Sequence, residues 1–138
     1  MTTFSGSCLC GQVRYSVTGT PIFMGVCHCA DCQKATGSAF SPVVAVPDVG
    51  VEMTGAPKTY TKKGDSGKDI TRSFCPECGS TLMSRAQAMT GVVMLTTGPM
   101  DDASAFTPAM EIYCASAQPW VSLGGDMGHF AGMPTPPA

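Results

Sequence analysis

At 138 residues and a formal net charge of −2, with eight Lys and Arg scattered along it, the chain has the size of one domain and no electrostatic footprint for nucleic acid. Charged residues make up 13% of it, against ~25% in an average soluble domain. Leu, Ile, Val and Phe number only 24, so a core this thin calls for a further staple, and eight cysteines offer one.

The chain opens on MTTFSGSCLCG, which lacks the basic start and apolar stretch of a signal peptide. The expected compartment is therefore the reducing cytoplasm, where closely spaced cysteines suit zinc better than disulfides. SCLCG supplies the first pair, Cys8 and Cys10. QVRYSV (12–17) alternates and predicts a strand with Val13, Tyr15 and Val17 on one face. VCHCADCQKATGSAF (26–40) then crowds Cys27, Cys29 and Cys32 where a strand or loop enters a turn or two of helix through ADCQKATG. Further strands are predicted at 41–47, 58–62, 69–74, 80–84, 91–97 and 110–116, separated by TGTP, TGAP and KKGDSGK. A short helical piece is expected at DDASAF (101–106) with Asp101 as its cap. The uncharged stretch 86–100 contains Gly91, Gly98 and Pro99 and is too short for the ~20 apolar residues of a membrane helix. Trp120 in QPWV is expected to pack in the core or line a pocket, and the ten methionines to fill gaps in a sparse core. The fold class is thus all-β, short antiparallel strands with one or two helical turns. One domain spans 6–123, followed by a tail, 124–138, that is expected to be partly unpacked because GMPTPPA is rich in proline.

FCPECG (74–79) has the form of a zinc knuckle, with Pro76 to stiffen the turn and Gly79 to permit the bend. Cys8, Cys10, Cys75 and Cys78 together make a closed set of four thiolates, which leaves no place for substrate and reads as a structural zinc site. The cluster of Cys27, Cys29 and Cys32 offers only three ligands. Its fourth position is either open, as in catalytic zinc, or closed by Cys114, His28, His129 or Asp31. Cys114 belongs to neither set; a small buried hydrophobe is its plainest role.

GSCLCGQVRYSVTG, CHCADCQKATGSAF, RSFCPECGSTL and AQPWVSL occur in this order between Gly6 and Leu123. Together they resemble the glutathione-dependent formaldehyde-activating enzymes and their centromere-protein-V relatives. The resemblance implies a β-tent fold with two zinc ions, structural on Cys8, Cys10, Cys75 and Cys78, and in the active site on Cys27, Cys29 and Cys32. It also implies a carbon–sulfur lyase-type reaction, with glutathione as co-substrate and formaldehyde joined to it as S-hydroxymethylglutathione. The partners expected are a small thiol and an aldehyde, with no nucleic acid and no membrane; a homo-oligomer is compatible with the sequence. Lys34, near Cys32, and Arg72 and Lys58 are candidates to meet the two carboxylates of glutathione. Two other functions compete. One is a zinc-stabilised binding module without catalysis. The other is an enzyme like the methionine-R-sulfoxide reductases, whose catalytic-cysteine stretch YCASA at Cys114 superficially resembles, although their GWPSF stretch has no counterpart here.

Overall fold

The computed structural model describes residues 2–134. Its strands form two sheets. β1 (Thr2–Ser7), β2 (Arg14–Gly19) and β5 (Val51–Thr54) make a small antiparallel sheet in the order β1-β2-β5. The larger one has eight strands: β3 (Phe23–Cys27), β4 (Ser41–Pro47), β6 (Lys58–Lys63), β7 (Asp69–Phe74), β8 (Thr81–Ala86), β9 (Val92–Thr96), β10 (Met110–Ile112) and β11 (Gly128–His129). Their order is β11-β10-β3-β4-β9-β8-β7-β6. Among the described residues one α-helix, α1 (Ala30–Thr36), sits between β3 and β4 and ends at Gly37 in the left-handed conformation. The all-β expectation with short helical insertions is borne out.

The core lies between the sheets. Val13, Tyr15 and Val17 point from β2 and its approach into it, as their alternation predicts, and meet Val44, Val46, Leu82, Val93 and Leu95 of the larger sheet. Residues of opposite parity in the same strands, Val43 of β4 and Met94 and Thr96 of β9, line a cavity on the other face. A sheet covered on both faces explains why PVVAV reads as a continuous apolar run rather than an alternating one. The methionines are gap-fillers in part: Met83 is buried, and Met24, Met53 and Met100 pack against the core.

Four expectations are corrected. No helix forms at 101–106, because the Asp101 carboxylate accepts from the Ser5 hydroxyl at 2.7 Å and its N–H donates to the Ser5 carbonyl, while Asp102 accepts from the Ser104 N–H in a local turn. The strand predicted over 110–116 stops at Ile112. Tyr113 turns into the left-handed region (φ 57°), Cys114–Ser116 form a 3-10 turn, and the N–H groups of Tyr113, Cys114 and Ala115 donate to the carbonyls of Gly132, Phe130 and Ala131. The strands are not all antiparallel, since β10 pairs parallel with both β3 and β11. Trp120 is not buried; it is 74% exposed and does not line the cavity beside β4 and β9. Within the expected tail, Gly128–His129 add β11 to the sheet edge, and residues 135–138 lie outside the described residues. Among the described residues no helix is long and apolar enough to cross a membrane.

Candidate metal centres and the cavity beside them

Two turns bring the first thiol set together. After Ser7 the chain bends so that Gly11 donates its N–H to the Cys8 carbonyl, and the Val13 N–H points at the Cys8 sulfur at 3.3 Å. In the knuckle, the register between β7 and β8 shifts at Ser73/Phe74, and the bulge re-aims the chain just before Cys75. Gly79, at φ 77°, closes the turn by donating to the Cys75 carbonyl at 2.8 Å. Only glycine takes that φ without strain. The sulfurs of Cys8, Cys10, Cys75 and Cys78 all lie within 4.8 Å of one another. Cys8–Cys10 and Cys10–Cys75 are 3.6 and 3.7 Å apart. Zinc–sulfur bonds of about 2.3 Å in a tetrahedron put sulfurs about 3.8 Å apart, so the four thiols fit zinc. Cys8 and Cys75 belong to the buried core, which suits a structural staple. The Ser80 hydroxyl, 3.2 Å from the Cys78 sulfur, and the Ser80 backbone pull that thiol down to about 5.

The second set stands on the cavity face. Cys27 ends β3 and is buried, Cys29 is the N-cap of α1, and Cys32 lies in its first turn. The Cys32 N–H donates to the Cys29 sulfur at 3.3 Å, so a thiol does the work usually given to Ser or Asp at a cap. The three sulfurs lie within 4.8 Å of one another. Hydrogen bonds from the Cys27 and Cys32 thiols, the Cys32 backbone and the positive charge of Arg72 together hold Cys29 down at about 2. The Cys27 thiol is pushed up by its hydrogen bonds with the Cys29 and Cys32 thiols and by burial. Three soft thiols gathered this closely form a donor set suited to zinc.

Among the described residues none of the four proposed closing ligands joins this cluster. His28, 1% exposed, turns its ring toward Phe40 and donates from Nε2 to Glu111 Oε1 at 2.8 Å. His129 Nδ1 lies 2.8 Å from the other oxygen of the same carboxylate. Asp31 faces the cavity but is paired with Lys62 at 2.8 Å. The Cys114 thiol donates to the Glu111 carbonyl at 3.5 Å and does not line the cavity. That position gives the sulfoxide-reductase reading no support.

The cavity has a volume of about 540 Å³, within the range of small-molecule sites. Cys27, Cys29 and Cys32 form part of its wall, and Arg72 of β7 reaches it. Lys34 does not. It is exposed on α1 and away from the cavity, as is Lys58 on β6. Sequence reasoning missed Lys63, Asp65 and Asp69 at the β6–β7 turn, and Tyr113. KKGDSGK reads as an ordinary turn; only the pairing of β7 with β8 brings it over the cavity. Tyr113 is the single non-glycine residue with positive φ among the described residues, and no local signal announces it. Burial, then the Asp65 charge and the three cysteines, raises its phenol above the usual range, so it stays protonated.

A protein-family model described as "Glutathione-dependent formaldehyde-activating enzyme" matches residues 3–116. No curated protein matches the sequence. Among solved structures, a Rhodobacter sphaeroides protein determined as a structural-genomics target is similar in fold, with a TM-score of 0.58 and 18% identity. The similarity covers 70% of this chain and 87% of that one.

Proposed function

Because the chain belongs to the glutathione-dependent formaldehyde-activating enzyme family, we propose that it is a zinc-dependent carbon–sulfur lyase-type enzyme acting on a thiol–aldehyde adduct. The prototype is S-hydroxymethylglutathione, made from glutathione and formaldehyde. The observation that carries this reading is the gathering of Cys27, Cys29 and Cys32 within 4.8 Å on a cavity wall, with no fourth protein ligand among the described residues.

In the synthetic direction the substrate S–H bond breaks, sulfur bonds to the carbonyl carbon, and the proton ends on the former carbonyl oxygen. Nothing is oxidised or reduced. Cys8, Cys10, Cys75 and Cys78 would hold a structural zinc; Cys27, Cys29 and Cys32 would hold the second. A zinc with a free position acidifies a thiol whose usual pKa is about 8.5, or polarises a carbonyl. Three thiolates around a divalent ion leave a net charge of −1, and Arg72 beside Cys29 and Cys32 offsets it. Tyr113, held protonated, is suited to donate a hydrogen bond to the adduct's oxygen.

The test is zinc content and exchange rate together. Wild type is expected to carry two zinc ions and Cys29→Ser one, with an unchanged circular dichroism spectrum. Exchange between free glutathione and its formaldehyde adduct, followed by NMR, is expected to exceed the spontaneous rate. Tyr113→Phe should keep both ions and lose about a hundredfold of that excess. An exchange rate equal to the spontaneous one in wild type would leave the chain a zinc-stabilised binding module.

A further inference from the structure

Tyr113 stands where the backbone is strained. It lines the cavity beside the three thiols, and at φ 57° it is the one non-glycine residue in the left-handed region among the described residues. A residue with a Cβ keeps that conformation only where its surroundings fix it, and such residues gather at active sites. What fixes it comes from the far end of the chain. The N–H groups of Tyr113, Cys114 and Ala115 donate in succession to the carbonyls of Gly132, Phe130 and Ala131, at 3.2, 2.9 and 3.3 Å. The Phe130 N–H returns to the Glu111 carbonyl at 2.9 Å, and His129 Nδ1 meets the Glu111 carboxylate at 2.8 Å. On the other flank, the Gln33 amide of α1 donates to the carbonyls of His28 and Ser116 at 2.7 and 3.1 Å, which joins the thiol loop to the turn after Tyr113. The C-terminal segment then brings Met133 to the cavity wall.

The family model ends at residue 116, so residues 128–133 lie beyond the part of the chain that it matches. We propose that this segment is a positioning element for the reaction: by accepting from the backbone of residues 113–115, it keeps Tyr113 in the conformation that presents its side chain to the cavity. The inference rests on the reading of Tyr113 as a hydrogen-bond donor to the adduct's oxygen. Without these bonds nothing holds residue 113 at positive φ, and a relaxed φ carries the ring away from its place. The three thiols, set by β3 and α1, stay where they are. The segment itself makes no bond to substrate and moves no proton.

The experiment compares wild type, Phe130→Pro, Tyr113→Phe and the double variant, each as the full zinc-loaded chain. Proline at 130 removes the N–H that pairs with Glu111, and its ring unseats the carbonyls that serve residues 113–115. Phe130→Pro should keep both zinc ions and lose hydrogen-exchange protection at the amides of residues 113–115. It should lower the maximal rate of exchange between glutathione and its formaldehyde adduct by about tenfold, with KM unchanged. In the Tyr113→Phe background the same change should cost no further rate, because the phenol it positions is already gone. Equal losses in both backgrounds, or a full rate in Phe130→Pro despite lost amide protection, would overturn the inference and leave the proposed reaction standing. A Tyr113→Phe variant as fast as wild type would instead overturn the donor role of that phenol, and the inference with it. If Phe130→Pro loses zinc or its circular dichroism spectrum, His129→Ala, which removes only the side-chain tie to Glu111, takes its place. A severalfold loss confined to the Tyr113 background is then expected, and an unchanged rate would overturn the inference.

Discussion

Tyr15 shows how one atom can be left unsatisfied inside a well-packed core. Its ring packs over Gly6, where an added Cβ would come within 2.5 Å of it, and its hydroxyl is buried with no hydrogen-bond partner. A buried polar group without a partner costs about 1–3 kcal/mol, so Tyr15→Phe should stabilise the fold by about 1 kcal/mol in urea titration. The same burial, with the Asp101 charge added, pushes the Tyr15 phenol up from 10.0 to about 12. The folded chain therefore holds a proton that the unfolded chain gives up first. Stability from this group is complete below pH 10 and is lost as the pH rises from 10 to about 12. In Tyr15→Phe that alkaline loss should be smaller; an identical decline in both proteins would show that other groups carry it. Gly6 is fixed by the same contact, because its Cβ would also meet the Pro99 carbonyl at 2.5 Å.

The elements around the second thiol set are tied by a single carboxylate. Glu111 of β10 is only 7% exposed, and it receives His28 from the loop after β3 and His129 from β11, both of the chain's histidines. Parallel pairing puts Glu111 beside Val26 and Ile112 beside Cys27, so this strand sets where the cysteine loop begins. Glu111→Ala should cost about 1–3 kcal/mol by orphaning a buried histidine donor, and it should speed amide exchange at His28 and residues 128–130 ahead of the β4–β9 pair. Exchange rising uniformly would point to global loosening instead. Such ties explain what could be read beforehand. The β2 alternation and the CxC, CxxC and CxCxxC spacings are local, and the chain's neighbours along the sequence suffice to interpret them. β10 has three residues and earns its place only through a strand more than eighty positions earlier, so no local pattern announces it. Likewise Asp101 has the makings of a cap, but Ser5 takes its carboxylate. Trp120 follows the opposite path: an aromatic is a sound candidate for burial until the 3-10 turn at 114–116 turns the segment outward.

At the scale of the molecule, the two thiol sets stand on different sides of the larger sheet, one at the core and one at the cavity. The four-thiol set joins the small sheet's first strand to the knuckle after β7, across the core. The three-thiol set opens on the cavity side. Cys78→Ser should therefore lower the melting temperature by more than about 10 °C and release one zinc, whereas Cys29→Ser should release one zinc with a far smaller thermal shift. Equal shifts in both variants would erase the distinction between a staple and a site.

The span between the two halves of the four-thiol set also places the chain on a clock. Cys10 and Cys75 are 65 residues apart. A ribosome adding about 5–20 residues per second leaves Cys8 and Cys10 waiting roughly 3–13 s for their partners. Cys27, Cys29 and Cys32 emerge complete within that interval, as a local set that can take up an ion before its competitor exists. During synthesis the three-thiol set is complete first, and the four-thiol set, whose halves lie on either side of it in the chain, closes last.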